Sequence, residues 1–241
     1  MHETRFGLLS YAIKTNLQAK SITIVNNIAT SCSIPKGMSK FVNSMIYNMS
    51  YFTALEIDDA LYKRIEGKSY HPNSDIEISD LAYIPLLHYG FDRRVHQGEL
   101  ICNRLICEPV IGVFKSLYQK RYQIQSIRLI DDFNGSDDES MKANNTSAFN
   151  YRQITNGSRL SYHAFGLAID LNPLYNPYVK TIDGETIILP KESVPFVDRS
   201  KRFAHKISHS DSAYKTFTDF GFSWGGDWES LKDYQHFEIK I

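Results

Sequence analysis

Two stretches of the chain gather residues whose types could do chemistry. "SRLSYHAFGLAIDLNP", residues 158–173, carries His163 and Asp170 at the two ends of a run of small residues. Taken alone, that pair reads three ways: two metal ligands, a histidine with its orienting carboxylate, or a strand with a polar residue at each end. Near the end of the chain, "DYQHFE" adds His236, with Asp233 before it and Glu238 after it. Three protein ligands of nitrogen and oxygen type, with a fourth position left for water, make the donor set of a catalytic zinc site. His163, Asp170 and His236 supply that set. A nearby carboxylate that does not bind the metal, Asp233, can take a proton from the activated water and hand it to a leaving amine. Amide hydrolysis is the natural reaction of such a group. Spacing alone leaves the plainer reading open, because eight histidines and 27 acids also produce accidental sets of hydrogen-bonded residues.

These residues need elements to hold them. "GLAIDL" reads as a strand, with Gly166 and Ala168 letting the backbone curve and pack closely. "HFEI" reads as a terminal strand, in which His236 and Glu238 share a face. Upstream, apolar residues at helical spacing between Pro35 and Gly67 predict one or two helices. "LAYIPLLHYGF" and "GELICN" read as short strands, and "EPVIGVFKSLYQKR" as a helix with Pro109 in its first turn. "IQSIRLIDDF" alternates like a strand. The tract "NGSDDESMKANNTS" is polar enough for a surface loop or lid. "PLYNPYVKTIDGETIILPKESVPFVDRS" reads as irregular, and a helix is expected over about 209–220. The division expected is a helical N-terminal extension, 1–67, and a zinc-site domain, 68–241, of α+β class.

Composition excludes several partners. With 27 Lys and Arg against 27 Asp and Glu, no net field draws nucleic acid or an anionic membrane. No window supplies the roughly 20 apolar residues of a membrane span, and the first residues lack the pattern of a secretory signal. The three cysteines, Cys32, Cys102 and Cys107, are too few and too oddly spaced for a disulfide framework or a Cys-x-x-Cys zinc site, and read as buried small side chains. His96 with Glu99, and His205 with His209, are explained by a turn and by a solvated helix start, since no HExxH glutamate accompanies the second pair.

"SYHAFGLAID" and "FSWGGDWESLKDYQHFE" together resemble the two signatures of the zinc D-alanyl-D-alanine carboxypeptidase (VanY-like) superfamily, which includes phage endolysins cutting the L-alanyl-D-glutamate bond. The likeness spans about 124–241. It implies an antiparallel sheet carrying a zinc site and flanked by helices, as in the Hedgehog and D-Ala-D-Ala carboxypeptidase folds. It further implies Zn2+ held by His163, Asp170 and His236, with Asp233 as catalytic base and Ser161 as a hydrogen-bonding residue beside the site. Glu238 is placed to orient a ligand, and Trp224 and Trp228 to wall the cleft. Relatives carry an arginine in a "Gly-Tyr-Arg-Ser" turn that steadies the oxyanion or the substrate carboxylate. Here the corresponding strand end reads "LIDDFNGSDDES", and Arg152 is the expected replacement. The substrate implied is a peptidoglycan stem peptide, met by a monomer in the envelope or outside the cell. A zinc-binding module without catalysis, working through protein partners, and a decayed cell-wall-binding relative remain as alternatives.

Overall fold

The computed structural model describes residues 51–72, 75–154 and 159–241. Most of the expected N-terminal helical region thus lies outside the described residues, and one helix of it is seen, α1 (Asp59–Ile65). The Asp58 carboxylate accepts from the Leu61 amide at 2.8 Å, the usual way an N-cap satisfies an otherwise orphaned donor. Residues 51–67 pack onto the segments after them in the chain. Leu55 bridges Tyr83, and the fully buried Ile65 lies in one apolar cluster with Leu81, Ile101 and Phe149.

The scaffold begins with a long antiparallel hairpin, β1 (Leu81–Tyr89) with β2 (Val95–Asn103). The second strand starts earlier than expected, taking "VHQ" out of the turn, so His96 and Glu99 lie on a strand. Helix α2 (Cys107–Gln119) buries Cys107, Val110, Val113, Phe114 and Leu117, a spacing of three and four that puts one apolar stripe on the hairpin. Cys102 and Cys107 are both free and buried, as expected of small core side chains. Helix α4 (Ser212–Asp219) packs against α2. Its Phe217 meets Phe114 edge-on at 6.2 Å and stacks on Phe237 at 4.0 Å. Phe237 belongs to the sheet that bears the site, so these rings tie the helical layer to it.

That sheet is three-stranded and antiparallel, ordered β5 (Ala168–Asp170), β10 (His236–Glu238), β8 (Ser223–Trp224). Its small size and the separate helices give the mixed α+β class expected. Three segments differ from the sequence expectation. The strand at 124–133 is cut to β3 (Ser126–Ile127) and then turns into a 3-10 helix, Ile130–Phe133. The "irregular" stretch contains a hairpin, β6 (Tyr178–Ile182) with β7 (Glu185–Leu189), closed by Asp183 and Gly184, both at positive φ, with β9 (Lys232–Asp233) on its other edge. Asp-Gly at such a turn is the type I′ signal, obscured here because the flanking residues are mixed. The polar tract is only partly a surface loop: it forms α3 (Asp137–Lys142) and β4 (Asn145–Thr146), which pairs parallel with β3.

Burial explains that last difference. Asn144, Asn145 and Thr146 are at most 1% exposed, and their polar groups are used rather than solvated. Asn145 Oδ1 accepts from the Arg128 amide and the Ser126 hydroxyl, both at 2.9 Å, while its Nδ2 donates to the Arg128 carbonyl and Ser140. Asn172, also fully buried, accepts from the Gln125 amide and donates to the Gln123 carbonyl. Side-chain amides here replace the strand partners that this irregular backbone lacks.

Gly166 closes the turn between His163 and β5 at φ +65°, and a Cβ there would lie 2.6 Å from the Asn103 amide nitrogen. Gly166→Ala is therefore expected to cost about 2–4 kcal/mol, combining left-handed strain with a backbone clash. Gly67→Ala, at φ +74° with open space around it, should cost only about 1–2 kcal/mol. Chemical denaturation of the two variants gives the comparison; equal losses would mean that the approach to Asn103 is not tight.

Candidate functional site

His163 sits in a 3-10 turn, Tyr162–Phe165, whose N-cap is Ser161; the Ser161 hydroxyl accepts from the His163 amide at 3.2 Å. Ser161 thus acts on the backbone that carries His163 and is itself buried. The imidazole Nδ1–H donates to the Ala148 carbonyl at 2.6 Å, which leaves the Nε2 lone pair pointing the other way. On β10, His236 is oriented by Glu238, whose carboxylate accepts from Nε2 at 3.2 Å. That frees Nδ1. Asp170 lies directly across the β5–β10 ladder from His236, where opposed side chains are near neighbours.

The three donor atoms converge. His163 Nε2 lies 3.1 Å from His236 Nδ1 and 3.2 Å from Asp170 Oδ2, and His236 Nδ1 lies 3.1 Å from Asp170 Oδ1. For a tetrahedral zinc ion with bonds of about 2.0 Å, donors would stand about 3.3 Å apart; the closest approaches match this, and one donor atom from each residue lies within 4.8 Å of the other two, so the residue types and their grouping suit such an ion. All three residues are buried, and they form the one His/Cys/Asp/Glu group of metal-binding type found among the described residues. Two lone pairs and a carboxylate face one another in this space, and a cation or proton must lie between them. Burial opposes a charged His236, yet hydrogen bonds with Asp170 and Glu238 outweigh it and push its pKa up to about 10. Burial likewise opposes an ionised Asp170, but His163 and His236 hold its carboxyl well below the usual range.

A cleft of about 350 Å³ opens over this cluster, within the size of small-ligand sites. Asp233 lines it next to His236, half-buried, with its Oδ1 enclosed and without a hydrogen-bond partner. Burial pushes the Asp233 carboxyl up to about 7, with His236 opposing and Asp170 assisting. Gly225 is what lets the adjacent turn close over it, since a Cβ there would meet the Asp233 carbonyl at 2.6 Å and its Cβ at 2.9 Å. Arg152 also reaches the cleft. It is held by Asp137, the first residue of α3, at 2.8 Å, while its Nε has no partner.

One expected residue lies elsewhere. Trp224 is 4% exposed, does not line the cleft, and packs on Phe237, Tyr234 and Tyr214, with its indole N–H donating to the Tyr234 carbonyl at 2.9 Å. Burial of a large ring on β8, whose other face is solvated, decides this. Trp228 is the cleft's tryptophan, 5.2 Å from the His236 ring. Residues that the sequence did not single out complete the walls: Tyr178 and Leu189 of the β6–β7 hairpin, Asp137, and Tyr162 beside His163. Three other histidines do other work. His96 pairs with Asp92, His205 stacks on Phe91 at 3.6 Å, and His209 pairs with Asp227.

A mixed α/β protein with a buried His-Asp-His cluster under a cleft is the class that fold and site define. Residues 155–239 match the sequence model of the D-alanyl-D-alanine carboxypeptidase family, and the resemblance carried by the two signatures stands on that match. No curated protein and no solved structure matches the chain.

The two tryptophans separate by stability. Trp224→Ala should destabilise the fold by about 3–5 kcal/mol, as for a large ring removed from a core, and Trp228→Ala by about 1 kcal/mol. Urea unfolding monitored by far-ultraviolet dichroism measures both, and similar losses would put Trp228 in the core as well.

Proposed function

We propose that this chain is a zinc-dependent metallopeptidase that hydrolyses peptidoglycan stem peptides, at the D-Ala-D-Ala bond or the L-Ala-D-Glu bond. One observation carries the reading: three buried residues whose imidazoles approach each other and the two oxygens of Asp170 at 3.1–3.2 Å, under a cleft that also holds an enclosed, unpaired carboxylate oxygen of Asp233. The match of residues 155–239 to the carboxypeptidase family supports the substrate class.

In this reading His163, Asp170 and His236 would hold zinc, which would supply Lewis acidity to the site when bound. Asp233 takes the proton of the attacking water and delivers it to the nitrogen of the leaving amine. Its burial suits that exchange, because a carboxyl poised near neutrality can both accept and give up a proton. Arg152, fixed by Asp137, turns its guanidinium into the cleft, where negative charge on the carbonyl oxygen develops. Glu238 and the Ala148 carbonyl fix the imidazole orientations, and such outer partners hold ligands in their metal-binding tautomers. Trp228 and the β6–β7 hairpin shield the reacting bond from bulk water. A peptidoglycan substrate would put this activity in the cell envelope or outside the cell.

Asp233→Ala is expected to retain stoichiometric zinc by elemental analysis while losing about 10²–10⁴-fold in turnover. His163→Ala should lose the zinc itself. Purified sacculi digested with and without a chelator, and examined by mass spectrometry, name the bond: loss of the terminal D-Ala, or a new L-Ala carboxyl terminus. Full turnover by Asp233→Ala, or digestion that survives chelation, would overturn the mechanism.

A further inference from the structure

Three of the four acids of the cleft are committed, and the fourth, Asp233, is the base of the proposed reading. Asp137 pairs with Arg152, Asp170 lies between two imidazoles, and Glu238 holds His236. Two cations that line the same cleft are not committed. Lys180, on β6, and Arg159, in the segment before His163, make no side-chain hydrogen bond or ion pair among the described residues. Lys180 is half-buried and Arg159 is exposed, so both charges keep water until a ligand replaces it. Two cations from separate segments, turned to one cleft and lacking counter-ions, form a place for an anion on the ligand.

Strand register says where along the ligand that anion lies. β6 pairs with β9 so that Tyr178 stands opposite Asp233. Residues 178 and 180 project to the same face of β6, and both line the cleft. Lys180 is therefore about 7 Å further along the wall than the pair containing Asp233, at about 3.3–3.4 Å per strand residue. An extended peptide advances by the same increment. A group that meets Lys180 belongs to a residue about two positions from the bond presented to Asp233.

We propose that Lys180 and Arg159 form a subsite for a substrate carboxylate two residues from the scissile bond, selecting stem peptides whose third residue is a carboxylated diamino acid such as meso-diaminopimelate over those with lysine. This rests on the peptidase reading above. The third residue lies two positions before the cut when D-Ala-D-Ala is split and two positions after it when L-Ala-D-Glu is split, so the bond decides in which direction the chain runs past Lys180. Arg159 offers a bidentate fork and Lys180 a mobile point charge, a pairing able to follow a long side chain.

The test uses three synthetic pentapeptides that differ only at the third residue: meso-diaminopimelate, its side-chain carboxamide, and L-lysine. For the wild-type chain, kcat/KM on the free carboxylate should exceed that on the carboxamide by about tenfold or more, the scale of one charge-assisted contact. Lys180→Gln and Arg159→Gln should each raise KM for the diaminopimelate peptide with little change in kcat, and leave the other two peptides unaffected. Equal wild-type rates on acid and carboxamide, or variants slowed alike on all three, would overturn the subsite. Calorimetric titration of the same peptides into full-length Asp233→Asn reads the preference without turnover. Tighter binding of the acid with no hydrolysis by wild type would keep the subsite and remove the peptidase reading; equal affinities would remove the subsite.

Discussion

The backbone of Asp170 is pinned on both edges, and the site depends on that constraint. On one side β5 pairs with β10 and sets Asp170 opposite His236. On the other, Asp170 exchanges both backbone hydrogen bonds with Ser147, at 2.9 and 3.1 Å. The next residue, Ala148, gives its carbonyl to the His163 ring, and the Asn150 amide donates to the His163 carbonyl. One short segment, residues 147–150, thus fixes the carboxylate and one imidazole in a common frame. A slip of one residue on either edge would turn Asp170 to the opposite face. Burying a carboxylate between two imidazoles costs several kcal/mol of lost hydration per charge unless the partners are well placed, so the frame must be rigid before the cluster is tolerable.

That rigidity comes from polar side chains, which is unusual for so buried a region. The segment that leads into 147–150 is held by Asn145, and the exit from β5 by Asn172 and Asn176. Asn176 accepts from the Ile207 amide and the Arg199 guanidinium, and donates to the carbonyls of Asn172 and His205. Each such bond contributes only about 1 kcal/mol net, but an unpaired buried group would cost about 1–3 kcal/mol. The network therefore specifies one arrangement more than it adds stability. Apolar packing supplies the stability separately, through the hairpin, α2 and the Phe114, Phe217 and Phe237 rings.

The chemistry of the site was more legible than its walls, for a physical reason. His163, Asp170, His236 and Asp233 lie in two short segments whose types alone limit what they can do, and the structure brings all four together. Arg152, expected only as a replacement for the turn arginine of the family it resembles, also reaches the cleft. The helix at 107–119 and the hairpin strands were readable from apolar spacing. Buried asparagines were not, because composition cannot distinguish an amide that meets water from one that replaces a strand partner. Hence "KANNTS" reads as a loop. Trp224 and Trp228 are equal in type and close in sequence; which one enters the core is settled by the face of β8 and by Gly226, against which the Trp224 ring lies, neither of which has a periodic signal. The β6–β7 hairpin had its Asp-Gly turn in plain sight, but its strands are half-exposed and lack clear alternation.

The cleft is built so that charge changes on one wall are felt at the base. Asp233 lies among His236, Asp170, His163 and Arg152, with burial raising its pKa and the cations lowering it. In the proposed reading, a divalent cation held by the three donors adds to the lowering influences, and a bound peptide that expels water strengthens every one of these interactions. The two act in opposite directions: metal favours the carboxylate that accepts a proton, whereas water exclusion favours the acid that delivers one. Arg152 cannot tip that balance freely, because Asp137 neutralises it at 2.8 Å. Asp137 is itself held above its usual range by burial, against the pull of Arg152, so the pair adds a directed guanidinium to the cleft without adding a full positive charge. That arrangement leaves the proton on Asp233 responsive to what occupies the cleft, as the proposed reading requires of a residue that serves as base and then as acid.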